Sequence, residues 1–153
     1  MKIESSFIIE NLLTTNQKIF AVKQRFTFSK NERLSGHKIM AELFAKGNSM
    51  VVSPFRLIWM QATLSSASPA QVAFSVPVKN FRLAVDRNRI KRQMREIYRK
   101  NKASIYSVLQ KEKKQCALMI IFTSKTKIPF TEVENKLTIT LQRFEEELKK
   151  HAK

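Results

Sequence analysis

The chain is poor in the residues that staple or bend small proteins. Its 153 residues include two glycines, four prolines, one tryptophan and one cysteine. A single cysteine makes no intramolecular disulfide and no cysteine-based zinc site, and it suits a reducing, cytoplasmic setting. Cys116 lies in the apolar run Cys116–Phe122, the setting of a buried strand residue rather than a nucleophile. No apolar run approaches the ~18 residues that a bilayer span requires, so nothing spans a membrane, and a membrane surface is a weaker partner because it would want exposed bulky apolar residues where the basic helix has a seam sized for a core. The N-terminal stretch MKIESSFIIENLL is broken by Glu4 and Glu10 and does not read as a signal peptide. Acidic residues are scarce. Lys and Arg total 29 against 12 Asp and Glu, a net charge of +17. That exceeds what solubility needs and points to a polyanionic partner. At 43% hydrophobic residues, the chain also holds enough apolar material for one real core.

Catalytic groups are scarce too. A protein nuclease needs clustered carboxylates for two metals, or a histidine pair for proton transfer. None of the acids forms a spaced pair on an expected strand end, so no catalytic residue is assigned. The two histidines are His37, expected on the surface of the first helix, and His151, near the C-terminus.

What is abundant is positive charge in one place. From Lys79 to Lys102 the chain carries Lys79, Arg82, Arg87, Arg89, Lys91, Arg92, Arg95, Arg99, Lys100 and Lys102 against only Asp86 and Glu96. No Gly or Pro interrupts the stretch after Pro77, so it reads as helix from about Leu83 to Asn101. At ~100° per residue, Arg87, Asn88, Lys91, Arg92, Arg95, Arg99 and Lys102 fall within an arc of about 140°. Leu83, Ile90, Met94 and Ile97 cluster opposite, as a seam for a core. Most charge runs are solvated faces, but these mix signs. Here Arg87, Lys91, Arg95 and Arg99 form a like-charged i,i+4 ladder, which destabilises a helix unless a polyanion neutralises it. Nucleic acid fits, since the arginine fork matches phosphate oxygens.

The remaining elements follow in order. Residues 1–25 carry no motif and read as a poorly ordered extension, with a short helix near Phe7–Leu13. Residues 26–150 read as one domain. Phe26-Thr27-Phe28 is an extended entry, and Ser29-Lys30-Asn31-Glu32 supplies capping residues before a helix from about Arg33 to Ala45, ended by Gly47. That helix has two apolar i,i+4 pairs, Ile39 with Leu43 and Met40 with Phe44. One must face the core. The other either widens the core face or forms an exposed wall for base stacking. Residues 55–64 alternate as a strand, with Phe55, Leu57 and Trp59 on one face and Arg56, Ile58 and Met60 on the other. SSASPA (65–70) reads as a hairpin loop to a returning strand over Gln71–Val76. After the basic helix, 102–115 reads as a second helical piece, Cys116–Phe122 as a fully buried strand, and 129–149 as a last helix with Val133, Leu137, Thr140, Leu141 and Phe144 inside. The order α-β-β-α-β-α is that of a single-domain α+β sandwich.

Arg87-Asn88-Arg89-Ile90-Lys91-Arg92, followed by Met94-Arg95-Glu96 and Tyr98-Arg99, resembles the RNR signature of the bacterial ribonuclease P protein component. The resemblance extends back through Val72–Val76, Phe55-Arg56-Leu57 and Arg33-Leu34…Phe44…Gly47, over about residues 26–145. It implies a fold like the second domain of ribosomal protein S5, with a left-handed βαβ crossover and the basic helix crossing the sheet. It also implies a protein subunit of a ribonucleoprotein endonuclease that removes the 5′ leader from precursor tRNA. In that family the RNA subunit performs the chemistry with bound Mg²⁺. Carried over by position, Arg87, Asn88, Arg89, Lys91, Arg92, Arg95 and Arg99 face the catalytic RNA. Met40, Phe44, Arg56, Ile58 and Lys79 line a cleft for the leader. The sequence departs from the family where Met40 replaces a frequent Phe, where Arg56 and Ile58 replace an apolar-plus-aromatic pair, and where only Lys79 remains of a basic pair, with Val78 beside it. Leader binding here leans more on charge. Asp86 and Asn88 offer oxygens to a metal near the helix start, although Asp86 also suits a structural cap.

Two rival readings share the charge. A general RNA-binding or ribosome-associated protein would not need the 33–47 helix placed beside a basic cleft. A double-stranded DNA binder would need base-reading residues and usually a dimer seam, and the basic helix has no second apolar seam, so DNA is not an expected partner.

Overall fold

A computed structural model of the protein describes residues 27–151. The expected N-terminal extension and its short helix lie outside the described residues. A short 3-10 turn, Lys30–Glu32, leads to α1, His37–Lys46. Strands β1, Asn48–Val52, β2, Phe55–Gln61, and β3, Ala70–Ser75, follow. Helix α2 spans Ala84–Lys111, strand β4 spans Cys116–Phe122, and α3 spans Phe130–His151. The four strands form one sheet in the order β1-β2-β4-β3.

Side-chain alternation splits the sheet into two differently used faces. Phe55, Leu57, Trp59, Val72, Leu118, Ile120 and Phe122 point into the main core with the inner stripes of α2 and α3. Ile58, Ala117 and Met119 point the other way, into a smaller cluster with Leu34, Leu43 and Leu64 beneath α1. Strand β4 is covered on both faces, which is why CALMIIF is a continuous apolar run. The inner stripe expected for the last helix is buried throughout.

Four expectations need correction. First, the sequence predicts no strand between the first helix and Phe55, but β1 is there, and the real hairpin is β1–β2, antiparallel, with Asn48 opposite Trp59 and Val52 opposite Phe55. NSMVV is short and half-exposed, so it carries no strong strand pattern. Second, β2 and β3 are not a hairpin. Strand β4 lies between them, antiparallel to β2 and parallel to β3. The most apolar strand needs a partner on both edges, and a β2–β3 pair would leave it one. Gln115 fixes this crossover: its Nε2 donates to the carbonyls of Ser66 (2.8 Å) and Ser68 (3.0 Å), and its Oε1 accepts from Leu64 N–H (3.0 Å).

Third, α2 is one helix rather than two pieces. Lys102, which looked like a break, is only 8% exposed and hydrogen-bonded to the Glu32 carboxylate and the Thr27 carbonyl. The buried seam therefore continues through Tyr98, Lys102, Ile105 and Leu109. Leu83 does not belong to it; this residue precedes the helix and is 66% exposed. Fourth, α1 starts at His37 rather than Arg33. Leu34 N–H bonds the Val72 carbonyl at 3.0 Å, so residues 33–34 run as a parallel bridge along β3. Gly36, at φ 130°, then turns the chain into the helix, a conformation favouring glycine. Gly47 has an ordinary φ of −69°; it is required because a Cβ there would sit 2.8 Å from Ile58 Cγ2.

Candidate nucleic-acid interface

Helix α2 lies on the sheet through its apolar seam, so its opposite face looks outward. Asn88, Arg89 and Arg92 are exposed, and Lys91 and Arg95 are half-buried along its sides. Among the described residues, Arg89, Lys91, Arg92 and Arg95 have no carboxylate partner. The ends of the like-charge ladder are tied down. Arg87 Nη1 donates to the carbonyls of Phe81 (2.7 Å) and Arg82 (2.8 Å), which anchors the chain entering the helix. Arg99 Nε donates to Glu96 Oε2 at 3.1 Å, and the guanidinium holds the Glu96 carboxyl below its ordinary value. Lys102 leaves the cationic arc altogether, because it is buried. The surface open to an anion is thus centred on Arg89–Arg95 and narrower than the sequence alone suggests.

The second surface lies between α1 and the sheet. Of the two apolar pairs on α1, Leu43 is fully buried, whereas Phe44 is 59% exposed and Met40 half-buried. The Met40/Phe44 pair is therefore the outer wall. The expected floor changes. Arg56 is exposed, with its Nε donating to Ser49 Oγ at 3.1 Å, but Ile58 is 3% exposed beneath α1 and unavailable to a ligand. Register places Val51, Ile121 and Ser75 beside Arg56 in one row across the face that α1 leaves open. These neighbours were missed because only tertiary pairing brings β4 against β2. Lys79 is exposed in the turn after β3, at the same end of the sheet as Arg56.

The family model for Ribonuclease P matches residues 28–145. The chain belongs to the Ribonuclease P family. It is 34% identical over 118 residues to the Ribonuclease P protein component of Porphyromonas gingivalis, covering 77% of this chain and 86% of that protein. The same component from Chlorobium phaeobacteroides is 39% identical over 82 residues, covering 52% of this chain and 56% of its own length. Among solved structures, the RNase P protein from Thermotoga maritima aligns with a TM-score of 0.59 at 26% identity, covering 73% of this chain and 96% of that one. The Staphylococcus aureus RNase P protein shares the fold, with a TM-score of 0.59 at 22% identity, covering 74% of this chain and 94% of its own. As a member, the chain is a protein component of the tRNA-processing endoribonuclease whose partner is ribonuclease P RNA.

The Mg²⁺ that the family implies finds no built protein site near the start of α2. Asp86 sits in the first turn, where the helix dipole favours a negative charge, and its Oδ1 is 3.0 Å from Lys127 Nζ. The adjoining cavity carries Arg89 as well as Lys127, two cations around one acid. Among the described residues no group of three or more His, Cys, Asp or Glu side chains is placed to hold a metal. The Asp86–Lys127 pair makes the structural reading of Asp86 the better one. Cys116 is inert: burial pushes its thiol up to about 12, so it stays protonated at neutral pH. Among the described residues no helix is long and apolar enough to cross a membrane.

Proposed function

We propose that the protein binds the catalytic RNA through Arg89, Lys91, Arg92 and Arg95, flanked by Asn88, and leaves the cleavage chemistry and its Mg²⁺ to that RNA. Arg87 and Arg99 add to the local potential while anchored to their own chain. The observation that carries this reading is an acid-free row of cations on a rigid helix. Their mutual repulsion is relieved only by a polyanion. The 5′ leader of precursor tRNA would lie between α1 and the open sheet row, with Phe44 and Met40 as the apolar wall. Arg56 and Lys79 would meet its phosphates.

Reconstitution with purified components tests this. Protein, catalytic RNA, Mg²⁺ and precursor tRNA are combined with each omitted in turn. Protein with RNA should cut at low Mg²⁺, where RNA alone is poor, and protein alone should not cut. Site-specific cleavage by RNA-free protein would sink the reading. Binding to the catalytic RNA with no effect on cleavage would instead favour a general RNA-binding protein.

The cleft has its own test. Phe44→Ala should cost the holoenzyme about 1–3 kcal/mol of precursor affinity through lost base stacking. Mature tRNA, which lacks the leader, should bind as before. Because Phe44 is exposed, the melting temperature should not move; a clear drop would return this residue to the core.

A further inference from the structure

Strand β4 leaves the sheet through the turn TSKTKIP (123–129), which carries Lys125 and Lys127 and no acid, and enters α3. The turn is fastened at both ends. Thr123 N–H and Oγ1 donate to the Pro54 carbonyl at 2.8 and 2.9 Å, and Glu132 N–H donates to the Pro129 carbonyl at 3.0 Å. Midway, Ser124 Oγ donates to the Thr126 carbonyl at 2.8 Å, and Lys127 reaches Asp86 on the first turn of α2. The turn and α2 enclose a pocket of about 390 Å³. Ile90, Phe122 and Val133 are its buried apolar lining, and Arg89, Gln93, Lys127 and Phe130 its more accessible one. Phe130 is 39% exposed. Gln93 is half-buried, and among the described residues its carboxamide has no hydrogen-bond partner. Asp86 offsets one of the two cations, so the pocket stays net positive, and an ammonium bonded to one carboxylate oxygen still has donors to spare.

We infer that this pocket takes one unstacked nucleotide of the catalytic RNA, its phosphate between Arg89 and Lys127 and its base against Phe130, within reach of the Gln93 carboxamide. The inference rests on the proposed contact between α2 and that RNA, and adds the β4–α3 turn to it as a second element. Two cations suit phosphate oxygens, an accessible ring suits a base, and an amide offers a donor and an acceptor to a base edge. A free phosphate would leave the ring and the amide unused. Duplex RNA suits a convex surface such as the outer face of α2, whereas a hollow of this size needs a nucleotide that can be splayed into it. The strand is not the leader, because α2 stands between. Lys91 and Arg95 lie on the flank shared with Met40 of α1, and Arg89 and Gln93 on the flank facing α3.

Phe130→Ala and Lys127→Gln are the paired test. Lys125→Gln controls for diffuse charge, since Lys125 lies in the same turn but outside the pocket. Binding of each full-length variant to the catalytic RNA is measured across a salt series, with thermal melting alongside. Expected are losses of about tenfold for Phe130→Ala and for Lys127→Gln, the scale of one stacked base or one charge-assisted contact. The salt slope should fall by about 0.7–0.9 for Lys127→Gln and hold for Phe130→Ala, which removes no charge. Lys125→Gln should change affinity by less than about twofold, as befits a screened surface charge. Crosslinking from p-benzoylphenylalanine at position 130 should mark one unpaired nucleotide of the catalytic RNA. Removing that base should abolish the difference between wild type and Phe130→Ala. Equal losses for Lys125→Gln and Lys127→Gln, or crosslinks confined to paired RNA or to the precursor, overturn the assignment. If Phe130→Ala melts early, Lys127→Gln and its salt slope decide. Arg92→Gln, on the outer face of α2, separates the two readings. If it weakens binding while the pocket variants do not, the role of α2 stands and this pocket falls; if none of the three does, the RNA-binding role of α2 is itself wrong.

Discussion

Lys102→Met should destabilise the protein by about 3–5 kcal/mol, the scale for removing one partner of a buried ion pair. Lys102 and Glu32 are 8% and 7% exposed, and the Glu32 carboxylate also accepts from Ser29 N–H and from Tyr106 Oη at 2.7 Å. Without the ammonium, a buried carboxylate keeps only neutral donors. Replacing both, as Lys102→Met with Glu32→Gln, should recover much of the loss, because no uncompensated charge remains. Urea denaturation of the three proteins measures this, and a loss below about 1 kcal/mol for Lys102→Met would mean that water reaches the pair. The pH dependence follows from Glu32. Burial pushes its carboxyl up, but hydrogen bonds from Lys102, Ser29 and Tyr106, with the Lys102 charge, outweigh burial and hold it below its ordinary 4.5. Its contribution is therefore fully present above pH 4.5 and is lost as pH falls through the lower folded value. In Lys102→Met the opposing burial raises the carboxyl instead, so the sign reverses: lowering the pH should recover part of the lost stability as Glu32 takes up a proton.

Replacing Arg89, Lys91, Arg92 and Arg95 together with Gln should flatten the salt dependence of catalytic-RNA binding by about three units, at roughly 0.7–0.9 per phosphate contact. Gln is a fair helix former, and the four side chains lie off the buried seam. The melting temperature should hold or rise as the centre of the like-charge ladder is relieved. Affinity is measured across a salt series with the thermal transition alongside. An unchanged slope at unchanged stability would show a merely solvated face and remove the proposed role of α2.

Some residues were legible alone because their physics is local. The basic helix, the buried stripe of α3 and the doubly covered β4 all write their burial directly into periodicity. The exposed Met40/Phe44 wall was narrowed to one of two choices, and packing of Leu43 under Gly47 made the choice. Ile58 differs from expectation for the same reason: alternation gives its face, but that face is partly roofed by α1.

Sequence by itself determined the polyanionic partner class, the α+β class and the cationic helix, since composition, 3.6-residue periodicity and a specific arginine-rich spacing need no neighbours to be read. Tertiary structure decided which charges stay available. Lys102 is drawn inside by Glu32, 70 positions away; the other two losses are local, Arg87 onto the carbonyls of Phe81 and Arg82 and Arg99 onto Glu96 three positions back. It also decided the strand order and the meeting of Arg33 with Lys91 and Arg95. The strand pairings and the meeting of Arg33 with α2 join residues far apart in the chain, set by how the most apolar strand recruits neighbours on both edges, and no local pattern encodes them.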